Sequence, residues 1–383
     1  VSDIIRSTPT RGRTTVRRHT GVVEQVHAST TLARPVRTRI RGLDMARALA
    51  IVGMVMIHIG PARTPGGGLA GAAYRAAHGR AAIMFIVLAG VGVSLLVAAR
   101  DDERIAATRE RLAWRALVLL PAGIALQTLD VNVAVILQYY AAYFVVAALA
   151  ITLSDRVLLI VAGLAATVGP VLLIIVERIA PGLFIPGVPQ WSEIGRIVRD
   201  VFVTGYYPVL VWTAPLLVGM WIGRRDLRSP TVARTMTAAG ACVAAIGFVV
   251  SDALVATVGP AATDGDWRTL YVIEPHNEMP LWLLTATGIA VAVIGACLLL
   301  ARVAPRTTWP LTALGQLALT AYIAHLLVLD LWPATLLRDT YAAAWLSVGR
   351  FTLVALVAAT AYRAIASRGP FELLLRPPAA LTR

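Results

Sequence analysis

The chain has 383 residues, 58% of them hydrophobic, and its mean hydropathy of +0.73 is far above that of a soluble globular domain. Its formal charge of +14 comes from arginine alone, since no lysine occurs. The arginines fall between apolar segments, as membrane topology requires, so the basicity does not point to nucleic acid. Cys242 and Cys297 both sit in apolar runs and offer neither a disulfide framework nor a metal site.

Residues 1–41 hold nine arginines and many Ser and Thr without an apolar core, which predicts a disordered basic cytoplasmic leader lying against anionic lipid. A first span is predicted over 43–60. The Gly- and Pro-rich PARTPGGGLAG cannot continue it and reads as an external loop. A second span over 80–99 runs into RDDERIAATRERLAWR, whose five arginines mark the cytoplasm. Spans over 115–129 and 133–153 enclose a turn so short that they must be antiparallel neighbours. Another covers 157–176. In the external segment 177–206, Trp191, Ile194, Val198, Val201 and Phe202 recur at helical spacing opposite Glu193, Arg196, Arg199 and Asp200. That is the pattern of a helix lying in the membrane interface.

A span over 208–223 ends in the basic GRRDLR, and one over 235–257 leads to the polar external loop 258–280. Spans over 281–301, 310–330 and 344–363 complete the chain. The expected fold is all-α, a polytopic membrane protein of about ten transmembrane helices with both termini cytoplasmic. Its parts are the leader 1–41, a ten-helix domain 42–366 and a cytoplasmic tail 367–383. No internal repeat of the kind many transporters carry is evident.

The stretch RGLDMARALAIVGMVMIHIG (41–60) concentrates the chemistry. On a helix that turns about 100° and rises about 1.5 Å per residue, Arg47 and His58 lie within about 20° of one face and about 16 Å apart. Asp44 falls near the same stripe. Ionisable groups in a spanning helix are costly and usually face a cavity or the protein interior. The bland alternative pairs Asp44 with Arg47 at the headgroups and leaves His58 a solvated end residue. His78, His276 and His325 are placed by the topology toward the same outer side as His58. Glu274, His276 and Glu278 alternate acid and imidazole, but the spacing is generic and lacks a fourth ligand, so no metal is expected. Gln316, Thr320 and Tyr322 form a polar stripe that reads as interhelical glue, and Glu372 with Arg368 and Arg376 as a structural salt-bridge cluster.

The segments LDMARALAIVGMVMIHIG, GRAAIMFIVLAGVG, PHNEMPLWLLTATG, LGQLALTAYIAHLL and GPFELLLR together resemble the YeiB family of bacterial ten-span membrane proteins. That family is similar in turn to the transmembrane acyltransferases, which include heparan glucosaminide acetyltransferase and the bacterial enzymes that decorate sugars outside the cell. In the latter an arginine and a histidine separated by ten residues on the first span carry the chemistry, and Arg47 and His58 reproduce that spacing. Many YeiB-like sequences have asparagine where this chain has His58.

The resemblance implies acyl transfer from cytoplasmic acyl-CoA to an extracytoplasmic glycan or lipid acceptor. Arg47 and Asp44 would form the donor-binding end, and His58 the general base, since imidazole titrates near neutrality. Arg80 and His276 would join His58 in catalysis. The location implied is a bacterial plasma membrane, with the bilayer and the acceptor as partners, no nucleic acid, and room for a homodimer. The competing reading is a transporter or exporter of a small solute or lipid, in which the same buried charges gate a pathway. A scaffold protein is the third.

Overall fold

The structure, a computed structural model, describes residues 39–61, 67–97, 101–131, 133–184, 193–263 and 265–378. Among the described residues the regular structure is helical and no strand forms. The leader expected over 1–41 lies almost wholly outside them. The helices are α1 (Arg41–Ile59), α2 (Gly68–Arg75), α3 (Arg80–Leu96), α4 (Asp102–Gln127), α5 (Leu137–Ala150), α6 (Asp155–Ile179) and α7 (Ile194–Arg199). They continue with α8 (Val209–Ile222), α9 (Pro230–Val258), α10 (Pro280–Val303), α11 (Trp309–Gln316), α12 (Ala318–Leu331), α13 (Pro333–Leu336), α14 (Tyr341–Ile365) and α15 (Pro370–Leu374).

Local chemistry sets many of the starts. The side chains of Asp101, Ser154, Ser229 and Thr340 accept the backbone N–H three residues on, satisfying a donor that the first helical turn leaves open. Pro230 and Pro280 open α9 and α10, where a missing N–H costs nothing.

Six helical stretches are long and apolar enough to cross a membrane: α1, α2 with α3, α6, α9, α10 and α14. Two bent pairs raise the number to eight if each counts as one span. These are α7 with its following π turn (Asp200–Thr204) joined to α8 at 54°, and α11 joined to α12 at 78°. All ten expected segments fall on helices, but the two that form α4 and α5 do not meet the length and composition of a span. Half of α4 carries Asp102, Glu103, Arg104, Arg109, Glu110 and Arg111. The 14 residues of α5 reach only about 21 Å against a hydrocarbon layer of about 30 Å.

The bundle is inside-out relative to a soluble protein only at its rim. Ile160 of α6, Val249 of α9 and Val354 and Val357 of α14 are exposed, as lipid-facing residues are, while Ile51, Met54, Ile83, Ile86, Trp212 and Trp282 fill the interior. Where helices touch, glycine permits it: Gly240 of α9 faces the backbone of Gly288 on α10, and Gly219 of α8 faces the Val87 carbonyl of α3, where any Cβ would collide.

The amphipathic segment expected in the interface reverses the orientation of a helix on a soluble core. Ile194, Val198 and Phe202 point outward, whereas Asp200 is buried among Arg196 (3.6 Å), Arg199 (3.1 Å) and the Thr204 hydroxyl (2.7 Å). Val201 departs from the expected apolar face and is buried, and Trp191 lies outside the described residues.

Candidate functional site

At the first turn of α1, Asp44 is fully buried and accepts a charge-assisted hydrogen bond from Arg47 Nη1 at 2.6 Å. Gln316 at the end of α11 donates to the other Asp44 oxygen (3.4 Å) and accepts from Arg363 Nε of α14 (2.7 Å). α11 comes this close because Gly315 lies against the Asp44 carbonyl and the Ala48 amide, with no room for a side chain. The Arg47 guanidinium keeps 28% of its side-chain surface and sits beside Gly92 of α3, with Tyr140 and Arg115 within electrostatic reach. Arg115 itself lies over the Phe144 ring at 5.8 Å. One guanidinium thus bonds the carboxylate directly, a second is joined to it through Gln316, and a third lies within electrostatic reach of the first. Such surplus positive charge, with one planar fork partly open, suits a phosphate-bearing ligand. The Asp44–Arg47 contact is the one the bland alternative named; the sequence did not reveal Arg115 or Arg363, which read as ordinary cytoplasmic arginines.

The far end of α1 is held firmly. Tyr74 donates its hydroxyl to the Met56 carbonyl, and the Arg338 backbone N–H donates to the Ile59 carbonyl at 2.8 Å. These bonds satisfy acceptors that a helix C-terminus leaves open. On this fixed turn stands His58, half-buried, its Nδ1 3.0 Å from Nε2 of His325, with the ring planes 12° apart and the centroids at 5.2 Å. His325 is buried on α12, with Tyr322 one turn earlier edge-on to its ring at 5.2 Å. The Tyr322 hydroxyl accepts from the Ile136 amide at 3.3 Å. His78 and His276 lie within electrostatic reach of His58, and their own rings meet edge-on at 5.5 Å. The four imidazoles that the topology put on one side are therefore one cluster.

His276 lies in an aromatic setting that the sequence did not disclose. Trp212 stacks on it at 6.1 Å, with Tyr206, Tyr207 and Trp282 packed around. Its Nδ1 is 3.3 Å from the Tyr206 carbonyl and 3.8 Å from Oε1 of Glu278. Glu278 is buried and accepts a hydrogen bond from Trp212 Nε1. Burial pushes its carboxyl above the ordinary carboxylate range, with His276 and Trp212 pulling partway back. Both His276 (φ 60°) and Glu278 (φ 61°) take the left-handed backbone region, which is uncommon outside glycine and costs energy that the surrounding packing must offset.

Among the described residues, Arg80 is not drawn into this cluster: its guanidinium lies over Phe248 at 5.6 Å and donates to the Ala76 carbonyl at 3.2 Å. Glu372 does not bridge Arg368 and Arg376 but caps the start of α12, accepting from the Leu319 and Thr320 amides and the Thr320 hydroxyl. The glue reading of the stripe fits these contacts, since Gln316, Thr320 and Tyr322 each hydrogen-bond another segment. Among the described residues no group of three or more His, Cys, Asp or Glu is arranged to hold a metal ion.

Over residues 39–255, more than half of the chain, the sequence matches the model of the family described as heparan-alpha-glucosaminide N-acetyltransferase, catalytic. The chain belongs to this family. The match takes in α1 with Asp44, Arg47 and His58, as well as His78 and Arg80, while His276, Gln316 and His325 lie beyond it. No curated protein matches the chain. The chain is thus a multi-pass membrane member of an acetyltransferase family, and the narrower YeiB kinship is a resemblance carried by the motifs alone.

Proposed function

We propose that the protein is an integral membrane acyltransferase that moves an acyl group from cytoplasmic acyl-CoA to an extracytoplasmic glycan or lipid acceptor, in a bacterial plasma membrane. The observation that carries this reading is the pair of inward-facing polar ends on α1, Arg47 with Asp44 at one and His58 at the other. They are separated by about 16 Å of helix, a length that an extended pantetheine arm spans.

Arg47, with Arg115 and Arg363 behind it, would hold the donor's phosphates. The thioester carbonyl is then presented near His58. His58 takes a proton from the acceptor's hydroxyl or amine as that atom attacks the carbonyl carbon. The carbon–sulfur bond breaks, and the same proton passes to the departing CoA thiolate. The protein's matched family points to a glucosamine-type amine as the first acceptor to try.

A ten-span topology with both termini cytoplasmic fits the contacts at the helix ends. The start of α6 is tied to the end of α8 through Asp155 with Arg224 and Arg225, and the end of α10 is tied to the residues after α8 through Arg302 and the Arg228 carbonyl. Gln316, at the break between α11 and α12, joins Asp44 at the start of α1 to Arg363 at the end of α14. The first two links, and the Asp44 and Arg363 ends of the third, join segment ends that the topology puts inside.

The test follows CoA release from acetyl-CoA by protein in lipid nanodiscs, with a glucosamine-terminated glycan as acceptor. His58→Ala should lower turnover by about 10²–10⁴, the usual worth of a general base, with folding unchanged. Equal turnover in both proteins would remove the reading and favour transport.

A further inference from the structure

We propose that His325 is a positioning residue for His58, an imidazole that occupies the place a carboxylate holds in most base-orienting pairs. The inference rests on the base reading of His58 and specifies how that base is held.

A neutral imidazole has one N–H and one lone pair, and which nitrogen carries the proton is decided by what the other nitrogen bonds to. Nδ1 of His58 meets a ring nitrogen, Nε2 of His325, at 3.0 Å. Between two neutral rings one must donate and one accept. His325 Nδ1 is buried without a hydrogen bond of full geometry, and the backbone of Ala321 and Tyr322, one turn back on α12, lies within electrostatic reach of the ring. Carbonyl oxygens only accept, so this environment favours the proton on His325 Nδ1. That leaves Nε2 of His325 as a lone pair. The bond then runs from His58 Nδ1–H to His325 Nε2, and Nε2 of His58 is left as the basic atom.

The two rings differ in access in the sense this arrangement needs. His58 is half-buried at the end of α1, whereas His325 is 1% exposed and walled by Tyr322. The first ring keeps some open surface for an acceptor, and the second keeps almost none. When Nε2 of His58 takes the acceptor's proton, the resulting imidazolium keeps its Nδ1–H on the lone pair of His325, so the existing hydrogen bond becomes charge-assisted without any proton leaving His58. His325 takes up no proton in the step. The near-coplanar rings, 12° apart, suit an in-plane hydrogen bond, and the capped start of α12 fixes the helix that carries His325.

The alternative, that His325 merely fills space on α12, predicts that any side chain of similar volume will serve. His325→Leu fills the space and cannot accept a hydrogen bond. His325→Gln fills it and offers an oxygen to the same N–H. Steady-state kinetics should show kcat lowered about 10- to 100-fold in the Leu variant, a part of the 10²–10⁴ that a general base supplies. KM for both substrates should hold, and Gln should restore most of the loss. Leu and Gln variants that fall together, or that both turn over at the wild-type rate, would overturn the proposal. A second readout does not depend on either variant folding: the ¹⁵N spectrum of histidine-labelled wild type, with the His58 signals identified by their loss in His58→Gln. Protonation at Nδ1 is expected; a His58 protonated at Nε2 would overturn it. The same His58→Gln protein separates the two ideas. If it turns over normally, the base reading fails; if it is inactive while His325→Leu is unaffected, only the role of His325 falls.

Discussion

Glu372 and Thr320, fifty-two residues apart, are joined twice: the carboxylate accepts the Thr320 amide at 3.1 Å and its hydroxyl at 2.6 Å. The Leu319 amide adds a third bond at 2.8 Å. The start of α12 follows a 78° break and has leucine at its cap position, which supplies no acceptor. A carboxylate from the chain's end satisfies those open amides and the positive end of the helix. Glu372→Ala should therefore lower stability by about 0.5–2 kcal/mol, the usual cost of a lost helix cap. Glu372→Gln should cost less, because its oxygen still accepts the amides while its nitrogen cannot accept the hydroxyl. Thermal unfolding in detergent measures both, and an unchanged midpoint in the Ala variant would refute the capping role.

The topology can be read from outside intact cells. In a background lacking Cys242 and Cys297, a cysteine placed at Gly66 should react with a membrane-impermeant thiol reagent and one placed at Arg228 should not. Reaction at 228 alone would invert the protein in its membrane.

Breaking the Asp44–Arg47 pair should have two separable consequences. Arg47→Ala leaves the fully buried Asp44 with Gln316 among its remaining partners. The loss should approach the roughly 3–5 kcal/mol typical of a severed buried pair, reduced because Arg47 is partly open. The double change Asp44→Asn with Arg47→Gln removes both charges, so folding should recover while acyl-CoA affinity does not. Isothermal titration with acetyl-CoA decides it: wild-type affinity in the double variant would detach Arg47 from the donor.

Much of the site along α1 was legible because helical periodicity is a local property. The 20° offset of Arg47 and His58 follows from counting residues. What faces them was not legible. His325 meets His58 across 267 residues of sequence, and hydropathy says that a helix exists without saying which helix lies beside it. Arg363 reads as one more cytoplasmic arginine until Gln316 is seen to connect it to Asp44. Around 194–202 the pattern revealed two faces, but the charged one turns inward, because lipid accepts Ile194 and Phe202 and cannot solvate Asp200. At α4 and α5 apolar composition marks a helix without fixing a span, because the first half of one is charged and the other is only 14 residues long.

Glu278 gives the stability of the outer cluster a direction in pH. The carboxyl is buried beneath Trp212 and lies outside the spanning helices, and burial raises its folded-state pKa above the ordinary range. In the unfolded chain it ionises freely in water, so unfolding releases a proton in the interval between the two values. The stabilising contribution is full below the unfolded pKa, and it is lost as pH rises through the folded one. The groups facing Glu278 include His276 at 3.8 Å, the indole of Trp212, and the phenols of Tyr139, Tyr143 and Tyr207 within electrostatic reach. Glu278→Gln stays neutral at every pH and keeps an oxygen for the Trp212 N–H. Its melting temperature should match the wild type in acid and exceed it increasingly as pH rises out of the carboxylate range. Melts taken at half-unit steps would reveal the divergence. Parallel curves would mean that Glu278 is ionised comfortably in the folded protein, and the buried acid beside His276 would have no part in pH response.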